Sequence, residues 1–396
     1  MEQKRLHTPE GVRDIYNDEC AKKMLLQENL QKLLKQYGYH AIQTPTFEYF
    51  DIFSQEIGTT PSKDLYKFFD REGNTLVLRP DITPSIARSV TKYYADENMP
   101  IRLWYQGNTF INNDSYQGRL KESTHLGAEL IGDSCVDADG EILALVVDAL
   151  KTAGLKEFQI SVGHVDYFKG LILAAELDED TINELIALIS NKNFFGVQEV
   201  IDKQDIPIEL KKMFTSLGVL YDSGSMLNEV KELSANYPMI YHSVKRLEQL
   251  YEVLACYGIE KYVSIELGML SSYHYYTGII FAGYTFGSGE PIVKGGRYDD
   301  LLPYFGKNAA SIGFVVVVDQ LMAALSRQKI DIPLEAAGHM VVYQRKMRSN
   351  AIALAQKLRA NGEETTLYQW EGTKAKEQYE QYASRMHVTN ITFLED

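Results

Sequence analysis

IRLWYQGNTFINNDSYQGRLKESTHLGAELIG, Ile101 to Gly132, carries two runs rich in aromatic and β-branched residues on either side of a polar run. Such residues favour a pleated, half-buried surface, and the polar residues between them favour a loop. The composition reads as three strand-like segments, IRLWYQ, GNTFI and STHLGAELIG, with the loop between the second and third, the pattern of an antiparallel meander. The loop has the look of a nucleotide-binding loop. Yet the places where a phosphate-gripping arginine would sit hold Ile111, Asn112 and Asn113.

Upstream, Ala21, Met24, Leu25, Leu30, Leu33, Leu34 and Tyr37 recur at three- and four-residue spacing and Gly38 follows, which predicts an amphipathic helix over 18–37. AIQTP and NTLVLRP read as short strands halted by Pro45 and Pro80. In DITPSIARSVTKYY, Thr83 is placed to cap a helix whose first position is Pro84. Downstream, a helix over 137–153 and the strand FQISVG extend an α+β pattern. From about 170 to 257 the period is helical with no clear strand, which predicts a helical insert projecting from one domain. Strand signals resume in YVSIELGML, YHYYTGIIFAGYTFG and ASIGFVVVV. After Pro333, strand and helix alternate through HMVVYQ, NAIALAQKLRANG, ETTLYQ, AKEQYEQYASRM and NITFLED, a small separate α/β module over 338–396.

Composition narrows the function classes. With 396 residues, 45% hydrophobic and 24% charged, the chain has room for two or three globular domains. Its 40 Lys+Arg against 54 Asp+Glu give a formal charge of -14, and no dense basic run stands against that field, which argues against nucleic acid. Cys20, Cys135 and Cys256 are far apart and fit neither a disulfide framework nor a zinc site, so they read as inert packing residues in a reducing compartment. No metal or cofactor is expected. No run approaches the ~20 apolar residues of a membrane span, and no apolar signal core opens the chain, so a cytoplasmic location is expected.

Seven motifs fall in one order: TPEGVRDI, LRPDIT at 78–83, YQGNTFINNDSYQGRL, HLGAELIG, SSYHYYTG, KGGRYDDL and ASIGFVVVVDQL. Their order and content resemble the histidyl-tRNA synthetase family of class II synthetases over nearly the whole chain. LRPDIT is similar to the family's LRPEGT, YYTG to the end of RGLDYYTG, and GGRYDDL to its second signature. The resemblance implies a class II aminoacyl-tRNA synthetase-like antiparallel sheet flanked by helices over 1–330, and a shortened anticodon-binding-like module over 338–396. It also implies a dimer built through the first helix and the strand near Pro45, and a histidine pocket on the sheet face.

Departures from the family pattern remove charge. Where the family has arginines after the motif-two phenylalanine, at the start of RGLDYYTG and in the final helix, this chain has Ile111, Ser271 and Gln320. Asn113 replaces an acidic residue. Hydrogen bonds to charged groups contribute roughly 1.5 to 3 kcal/mol each, so the expected change is a loss of histidine adenylation and a chain with no catalytic residues. The amino-acid end is kept by comparison. The resemblance puts Asp81 and Thr83 at the ligand's ammonium group, Glu129 at its imidazole, and Tyr275 and Tyr276 around the ring. His125 stands where a glutamine is usual, so the ligand's carboxylate is met differently.

Plainer readings compete at several positions. His125 and His274 also suit hydrogen-bonded sheet positions, and Arg119 suits a plain surface arginine. Tyr275 and Tyr276 alternate across a strand on this reading, one facing the pocket and one the core. Gly295-Gly296-Arg297 lacks the Lys-Ser/Thr of a phosphate loop.

A synthetase frame stripped of catalytic charge is similar to the regulatory subunits of ATP phosphoribosyltransferase. That resemblance implies histidine as effector, a short-form catalytic subunit as partner in a hetero-octamer of four chains each, and a place at the first step of histidine biosynthesis. No tRNA is expected, since acidic and basic residues nearly balance over 338–396. The alternatives are a divergent histidyl-tRNA synthetase, or a histidine- or tRNA-binding paralogue with another partner.

Overall fold

A computed structural model describes residues 6–53, 60–113, 120–221, 227–271, 275–334, 337–370, 372 and 374–395. The chain divides into two compact units, Met1–Ile15 with Leu26–Asp331, and Tyr16–Leu25 with Ile332–Asp396. The grouping of Tyr16–Leu25 with the C-terminal residues is not contained in the sequence reading.

Among the described residues, the main sheet of the larger unit has nine strands. They are β1 (His40–Ala41), β5 (Ile101–Phe110), β6 (Glu122–Ile131), β7 (Phe158–His164), β8 (Leu220–Tyr221), β9 (Val263–Glu266), β10 (Ile279–Thr285), β11 (Val293–Arg297) and β12 (Ser311–Val317). Their order is β1-β5-β6-β12-β11-β10-β7-β9-β8. The six strands from β5 to β7 are antiparallel throughout, and parallel pairing is confined to β1·β5 and β7·β9. A separate antiparallel sheet holds β2 (Phe47–Tyr49), β3 (Lys67–Phe69) and β4 (Thr75–Leu78) in the order β2-β4-β3.

The expected meander over 101–132 is corrected to a hairpin. IRLWYQ and GNTFI form the single strand β5, paired with β6 from Ile101↔Ile131 to Phe110↔Glu122. Gly107 does not interrupt it. A Cβ there would lie 2.0 Å from Nη2 of Arg79, so this glycine marks a close approach of another side chain. Arg79 is buried and spends its donors on the backbone oxygens of Thr44, Pro45 and Asn108, stitching the approach to β2 onto β5.

Local signals account for several boundaries. The first helix, Asn17–Gln36, ends at Gly38 with φ 80°, where Tyr39 N–H donates to Leu34 O and Gly38 N–H to Lys35 O, the paired bonds of a left-handed glycine stop. The helix Thr83–Tyr93 is capped otherwise than expected. Asp81 Oδ1 accepts from the amides of Ile82 and Thr83, while the Thr83 hydroxyl turns to Glu129.

Among the described residues, the region 165–257 forms six α-helices, but β8 lies among them and pairs with β9 at the edge of the main sheet. The expectation of no strand in this region is therefore corrected. Its last helix, Pro238–Tyr257, packs on the helix Val136–Thr152 so closely that a Cβ on Gly140 would meet Val253 Cγ1 at 2.3 Å. Arg246 of that helix also reaches buried Asp139. Cys135 and Cys256 are exposed and Cys20 is half-buried, so packing does not explain the first two.

In the smaller unit, β13 (His339–Gln344) lies between β14 (Thr365–Trp370) and β15 (Asn390–Leu394), parallel to both. The helices Arg348–Ala360 and Lys376–Arg385 supply the crossovers that parallel strands require. Among the described residues no helix is long and apolar enough to cross a membrane.

Candidate functional site

Side chains two residues apart on a strand share a face, so His125, Gly127 and Glu129 of β6 look the same way. The register carries that face across the sheet. Glu129 is opposite Leu103 of β5 and Gly313 of β12, and Gly313 is opposite Gly296 of β11. Glycines on this face make space: a Cβ on Gly313 would fall 1.6 Å from Glu129 Oε2, and one on Gly127 would fall 2.6 Å from the Tyr105 hydroxyl. The resulting cavity holds about 400 Å³ of open space, its mouth included. Asp81, Thr83, His125, Glu129, Tyr275 and Tyr276 all line it.

Glu129 is the most buried acidic residue lining this cavity, 1% exposed. Thr83 Oγ1 donates to its Oε1 at 2.8 Å and the Tyr298 hydroxyl donates to its Oε2. Burial outweighs these two donors and pushes the carboxyl up to about 8, with Asp81 nearby adding to the shift. Burial also raises Asp81, against the opposing pull of the Ile82 and Thr83 amides and the Tyr275 hydroxyl, which donates to Oδ2 at 3.1 Å. Two carboxyls reluctant to ionise face one cavity, a setting that favours a cationic or N–H-donating ligand. His125 is lowered to about 4, first by burial and then by Lys294, so its ring is neutral at neutral pH. Its Nε2 lies 3.3 Å from Thr109 Oγ1.

The tyrosines differ from the expectation. Tyr275 and Tyr276 precede β10 and are not part of a strand, so neither is turned to the opposite face. Their ring centroids are 4.9 Å apart, and Tyr275 meets Tyr298 edge-on at 5.8 Å. Tyr276 lies over Gly296, where a Cβ would come within 2.7 Å of its ring. Gly295 and Gly296 thus serve as flat strand residues under aromatic rings. Tyr105, Tyr298 and Lys294 also line the cavity and were not singled out by sequence. Tyr105 stands in the run YQGNTF, and Lys294 and Tyr298 stand in KGGRYDDL, so all three lie within motifs that the sequence already offered.

The neutral replacements are dispersed. Ser271 lines an adjoining cavity with about 570 Å³ of open space, its mouth included. Ile111 and Asn113 follow the end of β5, and Gln320 lies in the helix Val318–Arg327. Arg119 and His274 lie outside the described residues. Arg297 is structural: it donates through Nε and Nη2 to buried Asp139 and through Nη1 to Asp133 O and Asp299. Among the described residues no group of three or more His, Cys, Asp or Glu is placed to hold a metal ion.

The family model described as histidyl-tRNA synthetase matches residues 11–321. An ATP phosphoribosyltransferase regulatory subunit from Ruminiclostridium cellulolyticum is 37% identical over all of this chain and 94% of its own length. One from Acetivibrio thermocellus is 38% identical over 91% of this chain and 86% of its own. A crystal structure described as an ATP phosphoribosyltransferase regulatory subunit/histidyl-tRNA synthetase from Bacillus halodurans superposes with a TM-score of 0.85 at 31% identity, covering 98% of each chain. The chain belongs to the histidyl-tRNA synthetase family and, within it, to the ATP phosphoribosyltransferase regulatory subunits.

Proposed function

We propose that this chain binds histidine in the cavity on its sheet face, activates a short-form ATP phosphoribosyltransferase catalytic chain, and confers feedback inhibition by histidine. One observation supports the reading: Asp81 and buried Glu129 line one cavity, while the positions that the resemblance gives to adenylation arginines hold Ile111, Ser271 and Gln320. Asp81, Thr83 and the Tyr275 hydroxyl would receive the ligand's ammonium group. Glu129 would receive an imidazole N–H, with Tyr275 and Tyr276 on the ring faces and His125 toward the carboxylate.

On this reading the chain is not an enzyme. Without positive charge at the phosphates, purified protein should show no histidine-dependent pyrophosphate exchange, and exchange above background would overturn the point. The assembly proposed is four regulatory and four catalytic chains, with regulatory dimers formed through the first helix and the segment near Pro45. A monomer at micromolar concentration in sedimentation would count against it. No tRNA takes part.

Mixing the protein with a short-form catalytic chain should raise phosphoribosyl-ATP formation, and histidine should lower it again. Unchanged rates in both arms would reject the regulatory role. Glu129→Gln removes an acceptor for the imidazole and should weaken histidine binding by about ten- to hundredfold in calorimetric titration, as should Asp81→Ala. The Glu129→Gln complex should still assemble and turn over but need correspondingly more histidine for inhibition, because an effector acts through its differential affinity for two states. Parent-like inhibition of both variants would place the sensing site elsewhere.

A further inference from the structure

The cavity has two electrical ends. Asp81 and Glu129 occupy one. At the other, among the described residues lining this cavity and its neighbour, Lys294 is the one lysine or arginine. The neutral imidazole of His125 supplies no positive charge there.

Register fixes the separation. Lys294 of β11 pairs with Val315, Val315 with Gly127, and Gly127 with Tyr105, a row two residues along the strands from the row of Gly296, Gly313, Glu129 and Leu103. At about 3.4 Å per residue and 4.8 Å per strand, the Cα atoms of Lys294 and Glu129 stand roughly 12 Å apart on one face. Both side chains line the one cavity, Glu129 on one strand and Lys294 two strands away. Lys294, Tyr276 and Gly295 line both cavities, so the lysine stands at the doorway between them. The second cavity is the one lined by Ser271, where the family resemblance would place an arginine.

We infer that Lys294 binds the carboxylate of the ligand and so holds the amino acid between itself and the Asp81–Glu129 end, an assignment that rests on the histidine reading above. Lys294 also interacts within the protein, and this does not exclude the role. An ammonium has three donors and can keep one partner while receiving another. Lysine, as a flexible point charge entering from β11, replaces the planar fork that an arginine at 271 would present.

The test is calorimetric titration of parent, Lys294→Met and Lys294→Arg with histidine and with histidine amide, which keeps the ammonium and imidazole but has no carboxylate. The parent should prefer histidine by about tenfold or more, Lys294→Met should lose that preference by weakening histidine alone, and Lys294→Arg should recover part of it. Parent-like histidine affinity in Lys294→Met would overturn the assignment. So would an equal loss for both ligands, which would mark a purely structural residue. Glu129→Gln, titrated alongside, separates the two readings. If it weakens histidine binding and Lys294→Met does not, the pocket stands and the lysine's role falls. If neither variant changes binding, or the parent binds neither ligand, the pocket falls too.

Discussion

Replacing Asp139 by alanine should lower the stability of the larger unit by about 3 to 5 kcal/mol. Asp139 is fully buried in the helix Val136–Thr152. Its Oδ1 accepts from Nε and Nη2 of Arg297 at 2.9 and 2.6 Å, and its Oδ2 accepts from Arg246. One carboxylate therefore joins β11, a core helix and the last helix of the insert. Arg297 is 4% exposed, so removing Asp139 strands a guanidinium in a dry setting, where only carbonyls and Asp299 remain to it. The penalty comes from the orphaned charge more than from the lost attraction. The pair Asp139→Ala with Arg297→Met should accordingly recover much of the loss. Urea denaturation of the parent and the two variants checks this, and a parent-like midpoint for Asp139→Ala would refute it.

Glu129→Gln should make the unliganded protein more stable near pH 8 while leaving it close to the parent at pH 4. The folded carboxyl keeps its proton up to about 8 because burial disfavours the anion, whereas in the unfolded chain it ionises near its ordinary value of 4.5. Between those values the folded state binds more protons than the unfolded state. Stability attributable to this group is then fully present below 4.5, falls as pH rises through the window, and levels off above 8. The whole fall is on the order of 5 kcal/mol. Glutamine carries no such proton, so that part of the slope should vanish from urea midpoints collected from pH 4 to 9. An identical slope in the two proteins would show that Glu129 ionises normally. A residue that costs stability and lines a cavity is a candidate for ligand contact, and the same substitution is expected to weaken histidine binding.

Much of the frame was legible in local pattern. Spacing marked the first helix and its glycine stop, and runs of strand-forming residues marked β4, β6, β7 and the three strands of the small unit. The order of short motifs pointed to the family before any geometry. The six residues singled out as ligand contacts are brought by the fold to the lining of one cavity.

Other features were decided in three dimensions. Thr83 has the composition of a helix cap, but its hydroxyl serves Glu129, 46 residues away, and Asp81 takes the amides instead. Gly107 reads locally as a break, yet the strand passes through it because Arg79 needs the space. Tyr298 reaches Glu129 across 169 residues of sequence. Lys294 joins the cavity because β12 lies between β6 and β11, an adjacency no local pattern encodes. The sequence by itself determined periodicity, turns, composition and family, all properties of near neighbours or of inherited motifs. Only the tertiary structure decided which buried polar groups satisfy one another, since hydrogen bonds and charge pairing depend on distance in space, and strand order sets that distance.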